Sequence, residues 1–543
     1  MKIMNVKILA ASLPQVAFSA KQVLNNEEKV AKKQKIEMYS LMKSAGEVTF
    51  QHIQQTYLLK SNLENEYLLK PKVLVICGQG NNGGDGFVLA SLATQEGFQV
   101  TVLLTVPPQE LSGNALSAYQ HYTVINKAKD ALVLFDQQSC NVETVVNFQG
   151  ALIVDAIFGI GFKGNLPQSI VTLVEAINQH LAPVVSVDVP SGLCATTGYV
   201  DSSAVVAKST VTFIALKSGL LTGQAMNHVG QLYFADLDLG CEFSAQISNE
   251  ASVLGESVFQ YLPTRVASSH KGNIGLCMAI GGEKGFAGAI RLSAEAALRS
   301  GAALVSVCCH QANQAFVFNG RPELMLAPTC AEKLSTNDAF INAKIYVLGP
   351  GLGQNNWGMA LFNLVLAQHK PCVIDADGLR LLASDYYQGL LGEYLKNNDW
   401  ILTPHPGEAA ALLDCTVAEI ERDRFSAVKK IAQQYNCVCV LKGSGSLISD
   451  GQHAWINTTG NSGMASGGMG DVLSGIIAAV VMQKNMVKGL SKKQKTINYA
   501  QLTALAVYIH GKAGDFIAQK HGKIGMLASD LLPIIQQLIN KKL

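Results

Sequence analysis

KVLVICGQGNNGGDGF, residues 72–87, decides the fold of the first half of the chain. Its first six residues form an apolar run of the length typical of a buried strand. Clustered glycines follow at 78–86, and a helical stretch begins near Phe87. A strand, a glycine-rich turn and a helix in this order indicate a βα unit. This stretch therefore predicts an α/β layer structure with a parallel sheet.

The same alternation extends over both halves of the 543-residue chain. This length exceeds what one hydrophobic core usually serves, so two domains are expected. Residues 240–270 are polar and weakly periodic, and we interpret them as the linker region. We predict one α/β domain over 1–245 and a second over 246–543. The predicted strands are 72–77, 100–105, 151–158, 183–189, 211–216, 274–280, 303–309, 344–348, 372–375, 400–403 and 437–441, and residues 446–458 predict a β-hairpin.

Composition limits the class of partner. The chain has 42 Lys+Arg against 40 Asp+Glu, a formal net charge of +2, which gives no broad attraction to nucleic acid or to an anionic membrane. No run of 18 apolar residues occurs, and the apolar stretch near the N-terminus is too short for a secretory signal. We therefore expect a cytoplasmic protein that binds neither nucleic acid nor membrane, and we expect a homo-oligomer.

Polar side chains cluster near the ends of three predicted strands of the first domain. They are Asn81, Asn82, Asp85, Asp155, Asp188 and Ser191. Because the carboxyl ends of parallel strands meet at one edge of a sheet, we expect four of them, Asn82, Asp155, Asp188 and Ser191, to face one crevice. Their oxygens suit a hard cation. Burial can raise the pKa of a carboxylate into the range useful for moving protons, and Asp188 is our candidate for that role.

A second glycine-rich segment follows the predicted strand 151–158. Residues 159–164, GIGFKG, form a formal GxGxxG, and Asp188 lies 24 positions after Gly164. Taken alone, this spacing suggests a dinucleotide-binding fingerprint. The match is weak, since that fingerprint belongs in the first βαβ unit, but it keeps a dehydrogenase as one alternative.

In the second domain, the sequence GNSGMASGGMGD at 460–471 precedes an apolar helical run from Val472. Glycines before a helix create a pocket of backbone donors for phosphate oxygens, and a carboxylate at its rim can take a proton from a substrate hydroxyl. Asp471 is our candidate for that carboxylate. No GxxxxGK[ST] occurs, which excludes a P-loop.

Three further loops follow predicted strands of the second domain, where α/β sheets place their ligands. They are GPGLG at 349–353, TPHPGE at 403–408 and KGSGS at 442–446. The prolines on either side of His405 restrict its backbone, which favours a functional role for this histidine.

The segments NNGGDG, DAIFGIGFKG and SVDVPSG, with LMKSAG at 41–46, resemble the N-terminal domain of the YjeF family, the NAD(P)H-hydrate epimerases. The resemblance covers about residues 13–240 and implies a Rossmann-like doubly wound sheet. It implies that Asp188 contacts the reacting dihydropyridine. It also implies that Asn82, Asp155 and Ser191 ligate potassium. The implied hydrate-binding residues are Asn81, Asn82, Gly83, Gly84, Asp85, Gly159, Ile160, Gly161, Phe162, Lys163, Gly164, Asn165 and Asp188.

The second half resembles the NAD(P)H-hydrate dehydratases of the ribokinase-like superfamily over about residues 260–540. HKGNIG at 270–275, DADGL at 375–379 and the loops quoted above carry this resemblance. It implies binding of an adenine nucleotide with Mg²⁺, and dehydration of NAD(P)H hydrate by way of a phosphorylated hydroxyl. Met469 and Ser462 depart from the residues frequent at these positions. The implied hydrate contacts are Ala289, Gly353, His405 and Asp471, and the implied nucleotide contacts are Lys442, Gly443, Ser444, Gly445, Ser446 and Gly470.

Other functions remain open at this point. A ribokinase-like small-molecule kinase with an accessory domain would release a stable phosphorylated product. A binding module is a second alternative, because domains resembling the first half also occur in messenger-RNA decapping scaffolds. A dehydrogenase would exchange hydride with a second substrate. The sequence does not decide between ADP and ATP, although the resemblance to bifunctional members favours ADP.

Overall fold

A computed structural model of the chain describes residues 7–8, 15–58, 71–126, 132–138, 141–389, 392, 399–486 and 497–542. The chain divides into two compact units, Met1–Ser252 and Val253–Leu543. The predicted boundary lay seven residues earlier. The segment interpreted as linker contains regular structure, including the helix Gly240–Gln246 and the strand Ala251–Val253.

The first unit is built on an eight-stranded sheet in the order β1-β9-β8-β7-β6-β3-β4-β5. All neighbours in it run parallel except β1 and β9. The chain order reverses between β3 and β6, and ligands of doubly wound sheets bind at such a switch point. The strands of this sheet are β1 (Lys7–Ile8), β3 (Lys72–Cys77), β4 (Gln99–Leu104), β5 (Leu132–Leu134), β6 (Leu152–Ala156), β7 (Val184–Val187), β8 (Ser209–Phe213) and β9 (Gln231–Ala235). Two short strands, β2 (Val16–Ala17) and β10 (Ala251–Val253), lie outside it and pair antiparallel with each other.

Alternation along β3 shows why this sheet is covered on both faces. Val73, Val75 and Cys77 belong to one hydrophobic core, and Leu74 and Ile76 belong to another. Successive side chains of a strand point to opposite faces, so a wholly apolar strand needs helices on both sides. The helices of this unit are Ala20–Lys33, Met38–Ile53, Asn81–Gln95, Gly113–Ile125, Glu143–Val146, Gln168–Gln179 and Gly240–Gln246.

The helix after β3 begins earlier than the sequence predicted. Its first residue is Asn81, so the glycine-rich segment forms its opening turns. The low helix propensity of Asn and Gly concealed this start. Glycine is required at position 83 because a Cβ there would lie 2.0 Å from the carbonyl oxygen of Gly78. The close approach holds the helix N-terminus against the end of β3.

The strands of the second unit follow the order β13-β12-β11-β14-β15-β16-β17-β18-β19. Pairing from β13 to β17 is parallel, and β17, β18 and β19 pair antiparallel, which confirms the predicted hairpin. These strands are β11 (Leu276–Ile280), β12 (Leu304–Cys308), β13 (Leu324–Leu326), β14 (Ile345–Leu348), β15 (Cys372–Ile374), β16 (Trp400–Leu402), β17 (Val438–Leu441), β18 (Ser446–Ser449) and β19 (Ala454–Asn457).

Two helices at the centre of the second unit pack against each other. Ala287–Arg299 and Met469–Met482 meet through the buried hydroxyls of Ser293 and Ser474, which lie 3.2 Å apart. The second of these helices also begins earlier than predicted, at Met469 instead of Val472, so Asp471 lies in its first turn. The helices of this unit are Lys271–Ile274, Ala287–Arg299, Gln314–Phe318, Ala331–Ser335, Asp338–Ile341, Asn356–Leu366, Asp377–Leu382, Asp385–Gln388, Pro406–Leu412, Val417–Arg422, Arg424–Gln434, Met469–Met482, Tyr499–His521 and Leu531–Ile539.

The prediction of two α/β units with parallel sheets is confirmed. In the part of the chain that the structure describes, no helix combines the length and the apolar character needed to cross a bilayer.

Candidate functional sites of the two units

A cavity of about 490 Å³ lies at the switch point of the first sheet. Its walls come from the segments that follow β3, β6 and β7, together with the two N-terminal helices. Gly83 and Gly84 are buried behind the wall, while Gly164 and Asn165 lie outside the lining. The predicted site residues that line it are Asn81, Asn82, Asp85, Gly159, Ile160, Gly161, Phe162, Lys163 and Asp188.

Asp188 is held in this cavity by a buried lysine. Lys217 Nζ donates to Asp188 Oδ1 over 2.5 Å, and the hydroxyl of Thr212 donates to the same oxygen over 3.0 Å. Lys217 is itself fixed by the carbonyl oxygen of Phe213, at 2.9 Å. Asp188 has a φ of 65°, in the left-handed region that Asp tolerates better than most residues. The pair therefore presents an oriented carboxylate to the cavity.

Two more carboxylates face the same cavity without a lysine of their own. Burial raises the pKa of Asp85 well above its ordinary value, and the charges of Asp188 and Glu27 raise it further. Burial also raises the pKa of Glu27, although Lys217 lowers it. The cavity thus combines one ion-paired carboxylate with two whose pKa values are raised by burial, a combination suited to moving protons.

Below the cavity, Asp155 and Ser191 form a buried oxygen cluster. Ser191 donates to Asp155 through its hydroxyl at 2.6 Å and its backbone N–H at 2.9 Å. The Asn82 amide donates to the carbonyl oxygen of Phe158 at 2.9 Å, and Phe158 N donates to the Ser191 hydroxyl at 2.9 Å. Asn82 Oδ1 is buried and has no hydrogen-bond partner among the described residues. An orphaned amide oxygen beside these oxygens fits a cation site.

The formal GxGxxG does not have the geometry of a dinucleotide-binding turn. It follows β6, the fourth strand of the parallel set, and the next helix begins only at Gln168. The fingerprint requires the turn of the first βαβ unit, leading directly into a helix N-terminus. The dehydrogenase alternative loses its main support.

In the second unit, Asp471 lies at the start of a helix next to other acids. The pKa of Asp471 is raised to about 6, first by burial and then by Asp375 and Asp377, although Lys442 lowers it. A carboxylate in the first turn of a helix is ordinarily stabilised in its charged form. Here burial and neighbouring acids outweigh that effect, which places the pKa of Asp471 where a general base is effective.

Lys442 bridges two buried carboxylates at the same strand edge. Its Nζ lies 2.8 Å from Asp375 Oδ1 and 3.7 Å from Glu408 Oε2. Burial lowers the pKa of Lys442, but Asp375, Glu408 and Asp471 together raise it above the ordinary value. A Cβ at Gly470 would lie 3.3 Å from Lys442 Nζ, so the helix that carries Asp471 starts directly beside this cluster.

His405 joins the cluster from the start of the helix Pro406–Leu412. Its Nδ1 accepts the backbone N–H groups of Gly407 and Glu408, and its Nε2 lies 3.3 Å from Glu408 Oε1. Burial lowers the pKa of His405, and Lys442 lowers it further. The imidazole is therefore neutral near pH 7, with a fixed orientation.

The other predicted residues of the second unit lie on three further elements. Gly353 N donates to Asp377 Oδ2 at 3.0 Å, which ties its loop to the acids. Ala289 lies in the first turn of the helix that packs against Met469–Met482. Beneath the KGSGS loop, the buried guanidinium of Arg424 donates to the carbonyl oxygen of Lys442 at 3.1 Å.

Several residues of both sites were not assigned a role from the sequence. No recognisable motif contains Lys217, Thr212 or Glu27. They come close to Asp188 only in the folded chain. Asp375 and Glu408 stand in the quoted segments DADGL and TPHPGE, each just after a predicted strand. Their position was a usable signal, because strand ends supply the site.

Comparison with known proteins covers nearly the whole chain. Residues 38–219 match the family described as YjeF-related protein N-terminus, and residues 277–537 match the family described as NAD(P)H-hydrate dehydratase. The bifunctional NAD(P)H-hydrate repair enzyme Nnr of Escherichia coli (strain K12) is 38% identical over 530 residues, 97% of this chain and 95% of that protein. The enzyme of the same name from Coxiella burnetii is 39% identical over 518 residues, 94% of this chain and 97% of that protein.

Among solved structures, the Bacillus subtilis ADP/ATP-dependent NAD(P)H-hydrate dehydratase co-crystallized with ATP/Mg²⁺ is 27% identical. It matches 53% of this chain and 97% of its own, with a TM-score of 0.46. The full-length matches decide the family: this chain belongs to the bifunctional NAD(P)H-hydrate repair enzymes.

Proposed function

We propose that this chain repairs hydrated NAD(P)H in two steps, one in each unit. The first unit interconverts the R and S forms of the hydrate. The second converts the S form to NAD(P)H at the expense of ADP or ATP, releasing phosphate with AMP or ADP. The observation that carries the proposal is Asp471, whose pKa is raised to about 6 at a glycine-rich helix start beside the cluster around Lys442.

The dehydration follows from the chemistry of the ring alcohol. Hydroxide is a poor leaving group, whereas a phosphate ester leaves readily with an electron pair pushed from the ring nitrogen. Asp471 accepts the proton of the hydroxyl, whose oxygen attacks the terminal phosphorus of the nucleotide. Breaking the C–O bond then releases phosphate, and loss of the neighbouring ring proton restores NAD(P)H.

The second site has groups for both partners of this transfer. Ala289, Gly353, His405 and Asp471 would contact the hydrate, while Lys442, Gly443, Ser444, Gly445, Ser446 and Gly470 would bind the adenine nucleotide. Lys442 supplies positive charge where phosphates would lie. The carboxylates of Asp375 and Glu408 are hard oxygen ligands that suit a magnesium ion carried by the nucleotide. When bound, magnesium neutralises charge on the phosphates.

In the first unit, Asp188 would take and return the proton of the ring hydroxyl while a bond at the hydroxyl-bearing carbon opens and closes again, which inverts that carbon. Lys217 and Thr212 are positioning residues, since both donate to the same oxygen of Asp188 and leave its other oxygen for substrate. The hydrate would lie against Asn81–Asp85 and Gly159–Asn165, with Phe158 and Phe162 stacked in the cavity wall.

Potassium is the cation that we propose for the buried oxygen cluster of this unit. Asn82, Asp155 and Ser191 would hold it, and the unpartnered Asn82 Oδ1 supports this assignment. When bound, the ion supplies positive charge beneath the cavity and fixes its wall. A cytoplasmic location and a homo-oligomeric assembly also remain proposals, the second open to light scattering of the purified protein.

The test mixes the purified protein with each NADPH-hydrate epimer, with and without ADP or ATP. We expect the reduced-nicotinamide absorbance to return in step with released phosphate, from the S form directly and from the R form through epimerisation. Accumulation of a stable phosphorylated product without NADPH would contradict the proposal and favour a small-molecule kinase.

A further inference from the structure

The glycine-rich segment before Asp471 has little regular structure of its own. Residues 460–468 contain one short 3-10 helix, Ser462–Met464, and a bend and turn at 466–468 before the helix begins. Glycine-rich backbone has many accessible conformations, so a fixed pocket of N–H donors must be imposed by neighbouring elements. Ser462 contributes no ring that would restrict the backbone, unlike proline.

The neighbouring element is one face of the long helix Tyr499–His521. The carbonyl oxygen of Tyr508 accepts the hydroxyl of Thr459 at 3.2 Å. Gly511 and Gly514 leave room for the segment, because a Cβ at either would lie within 2.5 Å of Thr459 or Met464. Residues three and four apart share a helix face, so this face follows the segment closely.

Asp515, on the same face, uses both carboxylate oxygens on the segment. Gly460 N donates to Oδ2 and Asn461 Nδ2 donates to Oδ1, each at 2.9 Å. Asn461 Oδ1 in turn accepts Gly463 N at 3.0 Å. A continuous chain of hydrogen bonds therefore runs from the helix through Asn461 into the turn.

The helix also contacts the far end of the segment. His510 is buried and hydrogen-bonds to the backbone of Met469, the first residue of the helix that carries Asp471. Thr459 and Met469, the residues that flank the segment, are thus both held by Tyr499–His521.

Resting on the proposed function of the second unit, we infer that Asp515 is a positioning residue for dehydration. Through Asn461 it fixes the backbone N–H groups that receive the phosphates. It thereby also keeps Asp471 buried. It touches neither substrate nor nucleotide. Charge-assisted hydrogen bonds to a carboxylate are about twice as strong as neutral ones, which suits an anchor of this kind.

The decisive experiment exchanges the two partners. In Asp515→Asn, the introduced amide keeps its oxygen for Gly460 N, so its NH₂ group faces the NH₂ group of Asn461. Asn461 can accept from it only by flipping, which breaks the bond to Gly463 N. In the double variant Asp515→Asn/Asn461→Asp, the amide at position 515 still accepts Gly460 N and now donates to the carboxylate introduced at position 461. That carboxylate also accepts Gly463 N, so the whole chain of hydrogen bonds is restored.

The matched control is Asp450→Asn. Asp450 also accepts two backbone N–H groups, from Gln452 and His453, but it lies in the turn between β18 and β19. It therefore reports the cost of removing a carboxylate that caps a turn elsewhere in the same unit.

Asp515→Asn should lower kcat/KM for dehydration about 100-fold, because small misplacements of a catalytic group cost this much. We expect the KM for ADP to rise about tenfold. The acidic limb of the pH profile should move below pH 6, since a loosened segment exposes Asp471 and lowers its pKa. Loss of folded protein alone would change neither KM nor the pH profile.

The kcat/KM of the double variant for dehydration should be within about fivefold of the wild-type value, and that of Asp450→Asn should equal the wild-type value. If Asp515→Asn does not fold, recovery in the double variant still supports the inference. An active Asp515→Asn with normal KM and pH profile would overturn it, and so would a double variant no better than the single. An inactive wild type would instead contradict the proposed function.

Discussion

The two units use the same sheet topology but distribute their charges differently. Each has its parallel strands in the order 3-2-1-4-5-6-7, counted along its own chain from β3 or from β11, and each has a lysine paired to an aspartate at the strand ends. In the first unit, the lysine is bound to Asp188, our candidate for moving protons. In the second, Lys442 binds Asp375 and Glu408, and the candidate Asp471 stands beside them.

This difference shows how one scaffold supports two kinds of proton transfer. A carboxylate that shares its oxygen with a buried lysine is held in one orientation, whereas one that only borders a lysine can have a pKa near neutrality. Epimerisation needs a proton moved at the ring hydroxyl while a bond at the hydroxyl-bearing carbon opens and closes again. Dehydration needs a base whose pKa is close to the working pH.

The largest expected effect is that of Asp471→Asn on dehydration. An amide cannot accept the proton, so kcat for NADPH formation should fall about 1000-fold or more. Epimerisation, followed by separating the two hydrate forms chromatographically, should be unchanged. A parallel loss of both activities would contradict the independence of the two sites.

Lys217→Met tests the tighter of the two pairs. Removing the lysine leaves Asp188 buried without its cation, which should cost about 3–5 kcal/mol of unfolding free energy in the first unit. Epimerisation should fall about 100-fold, because Asp188 loses its orientation. Urea titration and the chromatographic assay measure the two effects.

Lys217→Met/Asp188→Asn is the matched control for this prediction. It removes the unpaired charge, so it should regain most of the stability but none of the activity. Stability unchanged in Lys217→Met would show that the pair does not carry the role we assign to it.

Asn82→Ala sharpens the comparison at the cation site. Removing the orphaned oxygen should lower epimerisation about tenfold. It should also abolish a potassium-dependent rise in the melting temperature of the first unit, because an ion that binds only the folded state stabilises it. Asn178→Ala is the control, since this asparagine bonds to Ala204 and Val206 away from the cavity. A retained potassium effect in Asn82→Ala would exclude Asn82 as a ligand.

The smallest effect concerns the stability cost of Asp471, our candidate for the base. Because the folded-state pKa of Asp471 is raised to about 6, its ionisation destabilises the fold above that pH and has no effect below pH 4. Asp471→Asn should therefore stabilise the second unit by about 1–2 kcal/mol at pH 8 and by nothing at pH 4. Melting curves at the two pH values test this, and an equal shift at both would contradict it.

The sequence predicted features that depend on neighbouring residues, such as strands and loops. It missed contacts between residues that are distant in the chain. Apolar runs located most strands of both sheets, but β1, β5, β9 and β13 were not predicted. The loops that supply Asp188, His405 and Asp471 were identified as candidate site segments. Helix starts at Asn81 and Met469 were misplaced because Asn and Gly conceal them. Lys217 and Asp515 were not foreseen, since each acts on a residue distant in sequence and neither stands in a motif.

The left-handed backbone of Asp188 restricts how the first site can evolve. Only Asp, Asn and Gly adopt this conformation readily, so a longer acid such as Glu is disfavoured even though it keeps the charge. The reach of the carboxylate is therefore fixed by the main chain. A descendant that abandons catalysis has its easiest routes through Asn or Gly, which keep this backbone conformation but leave the buried Lys217 without its carboxylate.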